Sequence, residues 1–230
     1  MLSSFTTLAS DDTGKQVRLD LAPQWYAKDS IKVYGQISVR KEFQENDWIR
    51  YVVTPSIAYS LDDEWSLRGG LGLLYTDNED LNGFVIADRL EVRPFQGIKY
   101  NYTLNSAWSF NAYGRLEERF DFNTNTRESL NSLRLRLRLG TIYKFDALTS
   151  GKYYRARVSL EGFSTFSDVK HQINEKYRLA LGLERSFNHN QKGQVEVSFE
   201  GQDRSYNQIY LRFVYYPTWG TLFNKIRRQD

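Results

Sequence analysis

Arginine recurs at every second position in several segments of this sequence. The clearest is residues 133–139, where four leucines alternate with three arginines. Residues 89–93 and 115–119 each place two arginines four positions apart, with a glutamate midway between them. A guanidinium keeps its proton at physiological pH and pairs bidentately with carboxylates and phosphates. These spacings predict a surface that binds anionic groups.

Catalytic chemistry has few candidate residues in this chain. The sequence contains two histidines and no cysteine. His171 falls in a polar loop and His189 in a tight connection at the opposite end of its strand, so they cannot share a site. Their separation also argues against a metal centre. We therefore expect no enzymatic activity, no catalytic residue, no metal and no cofactor.

Two further binding classes are poorly supported. The glycines of residues 69–72 resemble a phosphate-binding loop only superficially, because no helix follows them. Basic and aromatic residues are interleaved, as in some nucleic-acid-binding proteins, but here the basic residues alternate with apolar ones along single segments. We expect no nucleic-acid partner.

Alternation of apolar and polar residues with period two runs through nearly the whole chain and predicts β-strands, since successive strand side chains point to opposite faces. Polar, turn-like clusters separate the segments. The predicted strands are 2–9, 16–26, 31–43, 48–60, 65–76, 84–103, 108–122, 132–145, 152–165, 175–186, 193–202 and 207–216. This count of about 12 is even, as is usual for bacterial barrels. The predicted fold is all-β: a transmembrane antiparallel up-and-down β-barrel.

Two tight turns share one sequence pattern. Residues 59–67 and 102–110 both place Tyr, Leu and Trp at the same spacing around a three-residue polar turn. Tyr and Trp favour the membrane–water boundary, so these residues are candidates for an aromatic girdle at the periplasmic edge. A soluble hairpin with cross-paired aromatics would show the same pattern.

Composition bounds the class of protein. The chain has 230 residues, 40% of them hydrophobic, which suits one folded domain. No run of about eighteen apolar residues occurs, so only a barrel could span a membrane. The apolar face also contains small residues such as Gly114 and Gly162, which would leave voids in a packed core but are tolerated against lipid. We expect a barrel over residues 1–217 and a short basic tail over 218–230.

The polar face of the predicted strands would line the barrel interior. We assign roughly eighteen basic and nine acidic groups to it, so the lumen should be far more basic than the whole chain. The predicted solute-binding arginines are Arg89, Arg93, Arg115, Arg119, Arg134, Arg136, Arg138, Arg155, Arg157 and Arg178. Alternatively, arginine and glutamate ladders pair with one another and fill the barrel.

The turn motif, together with Arg89-Leu90-Glu91-Val92-Arg93 and Arg115-Leu116-Glu117-Glu118-Arg119, resembles an uncharacterised family of bacterial outer-membrane barrels, a domain of unknown function. More distantly, the chain is similar in size and strand number to the monomeric oligogalacturonate and sialic-acid porins, whose arginine-lined lumens conduct acidic sugars. Unlike most such barrels, this chain continues past the aromatic pair Tyr215-Tyr216 into its basic tail.

These resemblances imply a Gram-negative outer-membrane location, with the bilayer and its lipopolysaccharide as surroundings. The N-terminus lacks a signal peptide, so we expect a mature chain. The expected function is a porin for small anionic solutes such as acidic oligosaccharides. The alternative is a non-conducting scaffold barrel in an envelope assembly for polysaccharide export or surface display. The basic tail leaves room for an envelope protein partner.

Overall fold

A computed structural model describes residues 14–28, 30–43, 47–79, 88–124, 129–145, 153–167, 173–188, 191–202 and 205–219. The predicted strand at 2–9 and residues 220–230 of the predicted tail lie outside these ranges. All regular structure in the described ranges is β-strand. Those ranges contain no helix long and apolar enough to cross a membrane.

The described residues form fourteen strands in one sheet. They are β1 (Gly14–Leu21), β2 (Gln24–Lys28), β3 (Ile31–Tyr34), β4 (Ile37–Glu42), β5 (Asp47–Val53), β6 (Ser56–Ser60), β7 (Trp65–Glu79), β8 (Arg89–Thr103), β9 (Trp108–Asn123), β10 (Ser129–Lys144), β11 (Tyr154–Ser167), β12 (Ile173–Asn188), β13 (Gln191–Gln202) and β14 (Ser205–Trp219). Eleven of the twelve predicted segments overlap these strands.

Three pairs of short strands are continuous passages of the chain along the wall. Each of the pairs β1/β2, β3/β4 and β5/β6 is separated by two residues. Backbone hydrogen bonds cross the gaps: Gln36 and Thr54 exchange both N–H···O bonds, at 3.1 and 2.7 Å, and Gly35 N donates to Pro23 O at 2.9 Å. The fourteen strands of the described chain therefore make eleven crossings, where a crossing is one continuous passage along the wall.

The crossings close into a barrel through a parallel seam. Every neighbouring pair is antiparallel except the first and the last, where β1 runs parallel to β14 from Gly14↔Gln208 to Leu21↔Tyr215. The geometry explains this exception. Crossings alternate in direction, so an odd number leaves the first and the last pointing the same way. The expected even count had included residues 2–9.

The barrel wall is apolar outside and polar inside. On β10, Leu133, Leu135, Leu137 and Leu139 are 39–55% exposed on the outer face. The most buried side chains include Glu117 and Glu184, at 0% and 2% exposure. A water-soluble β-sandwich would bury the leucines and expose the carboxylates. The outward orientation of the leucines agrees with the period-two prediction.

The two turns with a shared sequence pattern also share their hydrogen bonds. Asp62 Oδ1 accepts from the backbone N–H groups of Glu64 and Trp65, at 2.8 and 2.6 Å. Asn105 Oδ1 accepts equivalently from Ala107 and Trp108, at 2.9 and 2.8 Å. The tryptophans pack on neighbouring tyrosines, with ring centroids 4.7 Å apart for both Trp65–Tyr100 and Trp108–Tyr143. Both turns are thus built alike and bring aromatic rings to one rim of the barrel.

Candidate functional site

Strand β10 carries three of the predicted site arginines into the barrel interior. Its register sets Arg134 opposite Glu117 on β9, and Arg138 opposite Tyr113 on β9 and Glu161 on β11. The period of two fixes the direction of these side chains, and the register fixes their partners. Each arginine of β10 therefore meets a different environment.

Glu117 is a hub for four arginines. Its carboxylate accepts hydrogen bonds from Arg134 Nε at 2.8 Å and from Arg136 Nη1 at 2.8 Å. Arg115 Nε lies 2.9 Å from Glu117 Oε1, and Arg93 Nη1 lies 3.7 Å from Oε2. The four arginine side chains are only 12–17% exposed. One carboxylate thus holds cations from three strands together.

Glu161 and Glu200 extend these contacts along β11–β13. Glu161 Oε1 accepts from Arg136 Nη2 at 2.7 Å, and Arg178 Nη1 lies 3.6 Å from its other oxygen. Arg178 also donates to Glu200, through Nε at 3.0 Å. Both Arg136 and Arg178 therefore bridge two carboxylates.

Glu91 on β8 binds two interior arginines closer to the barrel end that lies opposite the aromatic turns. It accepts from Arg93 Nη2 at 2.7 Å and from Arg119 Nε at 2.5 Å. Arg89, near the end of β8, lies 3.9 Å from Asp121, and its side chain is 54% exposed. Arg89 is therefore the most weakly held arginine of this group.

Two further carboxylates pair with cations elsewhere in the interior. Glu184 lies 2.9 Å from Arg157 and 3.5 Å from Arg155. Asp20 lies 2.6 Å from Arg18 on its own strand and 2.5 Å from Arg212. Because Arg212 is on β14, the Asp20–Arg212 pair bridges the parallel seam.

We call these interior ion pairs together the ion-pair lattice: the carboxylates of Asp20, Glu91, Glu117, Glu161, Glu184 and Glu200 with the arginines bound to them. Of the ten predicted site arginines, eight are in the lattice. The other two are Arg89, which pairs loosely with Asp121, and Arg138. Much of the predicted binding surface is therefore engaged in internal pairing.

Several cations lie outside the lattice. Described cations with no carboxylate oxygen within 4.0 Å include Arg40, Arg50, Arg68, Lys99 and Arg138. These five are among the roughly eighteen basic groups that the sequence assigns to the interior face, but only Arg138 was predicted as a site residue.

Hydroxyls and aromatic rings take the place of acids around these cations. Arg50 Nε donates to Thr76 Oγ1 at 2.7 Å, and Arg68 donates to Ser56 Oγ at 2.8 Å. The Nε of Arg40 is buried and has no hydrogen-bond partner. Neutral partners leave these cations without a carboxylate in direct contact. Alternation alone does not show which interior cations lack an acidic partner, because this depends on the register between strands. Arg40, for example, lies directly opposite another arginine, Arg50, on β5.

The described residues show no other reactive cluster. They contain no group of three or more histidine, cysteine or acidic side chains that could hold a metal ion. His171 and His189 lie outside the described ranges, so the expectation that neither is catalytic stays a prediction.

Comparisons with known proteins place the chain in a family. Residues 19–208 match the model of a family described as "Protein of unknown function (DUF2490)". The chain belongs to the DUF2490 family. This agrees with the resemblance seen in its arginine motifs. A search of curated proteins found no match for this DUF2490 protein.

Solved structures resemble this DUF2490 barrel in fold. The β domain of the Bordetella autotransporter BrkA superimposes with a TM-score of 0.52 at 13% identity, covering 82% of each chain. The NanC porin gives a TM-score of 0.43 at 14% identity, over 85% of this chain and 90% of the porin. The first likeness shows an outer-membrane type of β-barrel architecture.

Proposed function

We propose that this DUF2490 protein is a bacterial outer-membrane channel that passes small anionic solutes, with acidic oligosaccharides as the favoured class. An outer face rich in exposed leucine, isoleucine and aromatic side chains suits a lipid environment. The aromatic rings at one rim suit a membrane–water boundary. Both features are consistent with a barrel that spans the outer membrane.

One observation supports anion passage above all others: the interior has cations that its carboxylates do not neutralise. Arg40, Arg50, Arg68, Lys99 and Arg138 come from five different strands, so the excess charge is spread around the wall. Charges in a narrow, protein-lined passage act on an ion more strongly than they would in open water. The lumen should therefore attract anions and repel cations.

Arginine chemistry favours carboxylated solutes within this class. A guanidinium offers parallel N–H donors that match a carboxylate, and its flat face stacks on rings. Arg68 and Arg138 lie over the rings of Tyr34 and Tyr113, at 4.6 and 5.6 Å. A sugar acid could replace such ring contacts while its carboxylate accepts hydrogen bonds.

Efflux from proteoliposomes tests the proposal directly. Vesicles with the purified barrel would be loaded with galacturonate, galactose or galactosamine, three sugars of similar size that are anionic, neutral and cationic at neutral pH. We expect galacturonate to leave fastest and galactosamine slowest, with the difference shrinking at high salt because screening shortens the reach of the fixed charges. Vesicles without protein are the control.

Two results would contradict the proposal. Faster efflux of galactosamine would show that the lattice carboxylates, rather than the unpaired cations, set selectivity. No efflux of any sugar and no ion current would mean that the lattice closes the interior, and the protein would then act as a scaffold barrel.

A further inference from the structure

Lys99 lies in the interior near the end of β8 that leads into the turn at Asn105. Its direct cross-strand partner on β9 is Tyr113, and the partner of Tyr113 on β10 is Arg138. Three consecutive strands therefore set a lysine, a tyrosine and an arginine side by side. None of the three makes an ion pair with a carboxylate in the described chain.

The charged groups that act most strongly on Lys99 are all cations. They are Arg138, Arg157, Arg68 and Lys32. These residues lie on β10, β11, β7 and β3, so they flank Lys99 in both directions along the wall. We call the set of Lys32, Arg68, Lys99, Arg138 and Arg157 the basic ring. Only Arg157 among them pairs with an acid in the described ranges, Glu184 at 2.9 Å.

A buried hydroxyl without a partner lies at the same place. Tyr113 is 7% exposed, and its hydroxyl has no hydrogen-bond partner among the described residues. The aromatic ring of Tyr113 lies against Gly97, where an added Cβ would be 2.9 Å from Tyr113 Cε2 and 3.1 Å from the Tyr113 hydroxyl oxygen. Gly97 is the cross-strand partner of Arg68. The hydroxyl therefore lies on the Arg68 side of Tyr113, between members of the basic ring.

Apart from Arg157, which belongs to both sets, the members of the basic ring lack the carboxylate contacts of the ion-pair lattice. In the lattice each arginine contacts a carboxylate of the protein, as expected for a structural strut. In the ring, like charges converge, and this costs folding free energy unless an anion joins them. A buried unpaired hydroxyl adds a similar cost. A ligand with several acceptor oxygens would remove both.

We propose that the basic ring and the Tyr113 hydroxyl form a discrete binding site for an anion that carries two or more carboxylate or phosphate groups. This proposal rests on the proposed channel function and deepens it, because the site would be the point at which a passing anion pauses. Cations from opposite sides of Lys99 favour a multivalent anion over chloride, since only a ligand with separated charges can reach both sides. Tyr113 donates its hydroxyl proton to one acceptor oxygen.

Thermal unfolding in detergent tests the site without relying on transport. The purified barrel would be titrated with citrate and, separately, with pyrophosphate at constant ionic strength. We expect each anion to raise the unfolding temperature in a saturable way, because it binds only the folded state. Lys99→Gln and Arg138→Gln should each weaken the apparent affinity about tenfold or more, the usual effect of losing a charge-assisted hydrogen bond.

The matched control is Arg89→Gln, which removes an interior arginine outside the ring. It should leave the affinity for citrate unchanged. Without ligand, Lys99→Gln should unfold at a higher temperature than the wild type, because it relieves repulsion within the ring. A merely structural role for Lys99 predicts the opposite. Arg68→Gln provides a second ring variant should Lys99→Gln fail to fold.

The outcomes separate this site from the channel. A shift that never saturates, or equal weakening in Arg89→Gln and Lys99→Gln, would overturn the site. Saturable binding that is lost in the ring variants would support the site even if no solute crosses the barrel. Anion-selective efflux without saturable binding would overturn the site and leave the channel standing.

Discussion

At the residue scale, Glu117 is the side chain on which the interior depends most. It is fully buried and contacts Arg93, Arg115, Arg134 and Arg136. Glu117→Gln would leave these four arginines without their shared counter-charge. Breaking a buried ion pair by removing one partner costs about 3–5 kcal/mol. We expect the variant to unfold at a clearly lower temperature, measured by the loss of the fast-migrating, unheated band on a detergent gel.

Glu118→Gln is the matched control for this change. Glu118 is the neighbouring residue and has the same chemistry, but it lies exposed on the outer face. The unfolding temperature of this variant should stay close to that of the wild type. If both variants unfold alike, the lattice around Glu117 contributes little to stability.

The sequence predicts the directions of the interior arginines but not their partners. Alternation in residues 133–139 is enough to send every second side chain inward. Whether Arg134 meets an acid and Lys99 meets other cations depends on the register between strands, which one sequence does not reveal. For this reason Arg134 and Arg136, which the sequence predicts to bind solute, belong to the ion-pair lattice, while the unpaired cations Lys99 and Arg68 were not selected.

At the element scale, the strands were predictable and their interruptions were not. Long alternating runs predict where strands lie, but the gaps at Ala22–Pro23 and Thr54–Pro55 fall inside single predicted strands. Proline lacks a backbone N–H, so it removes a ladder hydrogen bond at these points. Pro94 does the same within β8, where the pairing with β9 skips from Val92 to Phe95. Alternation continues across all three sites, so it cannot show the breaks.

Gly70 on β7 packs against one of these interruptions. A Cβ at this position would lie 2.6 Å from Pro55 O and 2.6 Å from Phe95 Cζ. Gly70→Ala should therefore destabilise the barrel by about 1–3 kcal/mol, the usual range for overpacking. Thermal unfolding in detergent measures the effect.

Gly162→Ala on β11 is the control, because an added Cβ there would meet no atom within 4 Å. It should leave the unfolding temperature nearly unchanged. Equal stability of the two variants would mean that the wall around Pro55 adjusts freely to an extra methyl group.

At the scale of the whole molecule, the parallel seam is the least conventional feature of the barrel. Leu19 and Phe213 are direct partners across it, and both are exposed on the outer face. Strands in contact are about 4.8 Å apart, within the range that a disulfide can bridge. The double variant Leu19→Cys/Phe213→Cys should therefore form a disulfide on oxidation, detected as a mobility change under non-reducing conditions.

The control pair is Leu19→Cys/Val195→Cys, since Val195 is the partner of Phe213 on β13 and lies one strand further away. This pair should not cross-link. Absence of the disulfide in the first pair would show that β1 and β14 are not adjacent, and that another segment separates them.

The central claim is that the interior carries a net positive field through which anions pass. Its most direct test is the zero-current potential of the purified barrel in a planar bilayer separating concentrated from dilute KCl. We predict a potential whose sign shows chloride to be more permeant than potassium, with a smaller magnitude for the triple variant Lys32→Gln/Arg68→Gln/Lys99→Gln. A potential of the opposite sign, or a barrel that inserts but carries no current, would contradict the account.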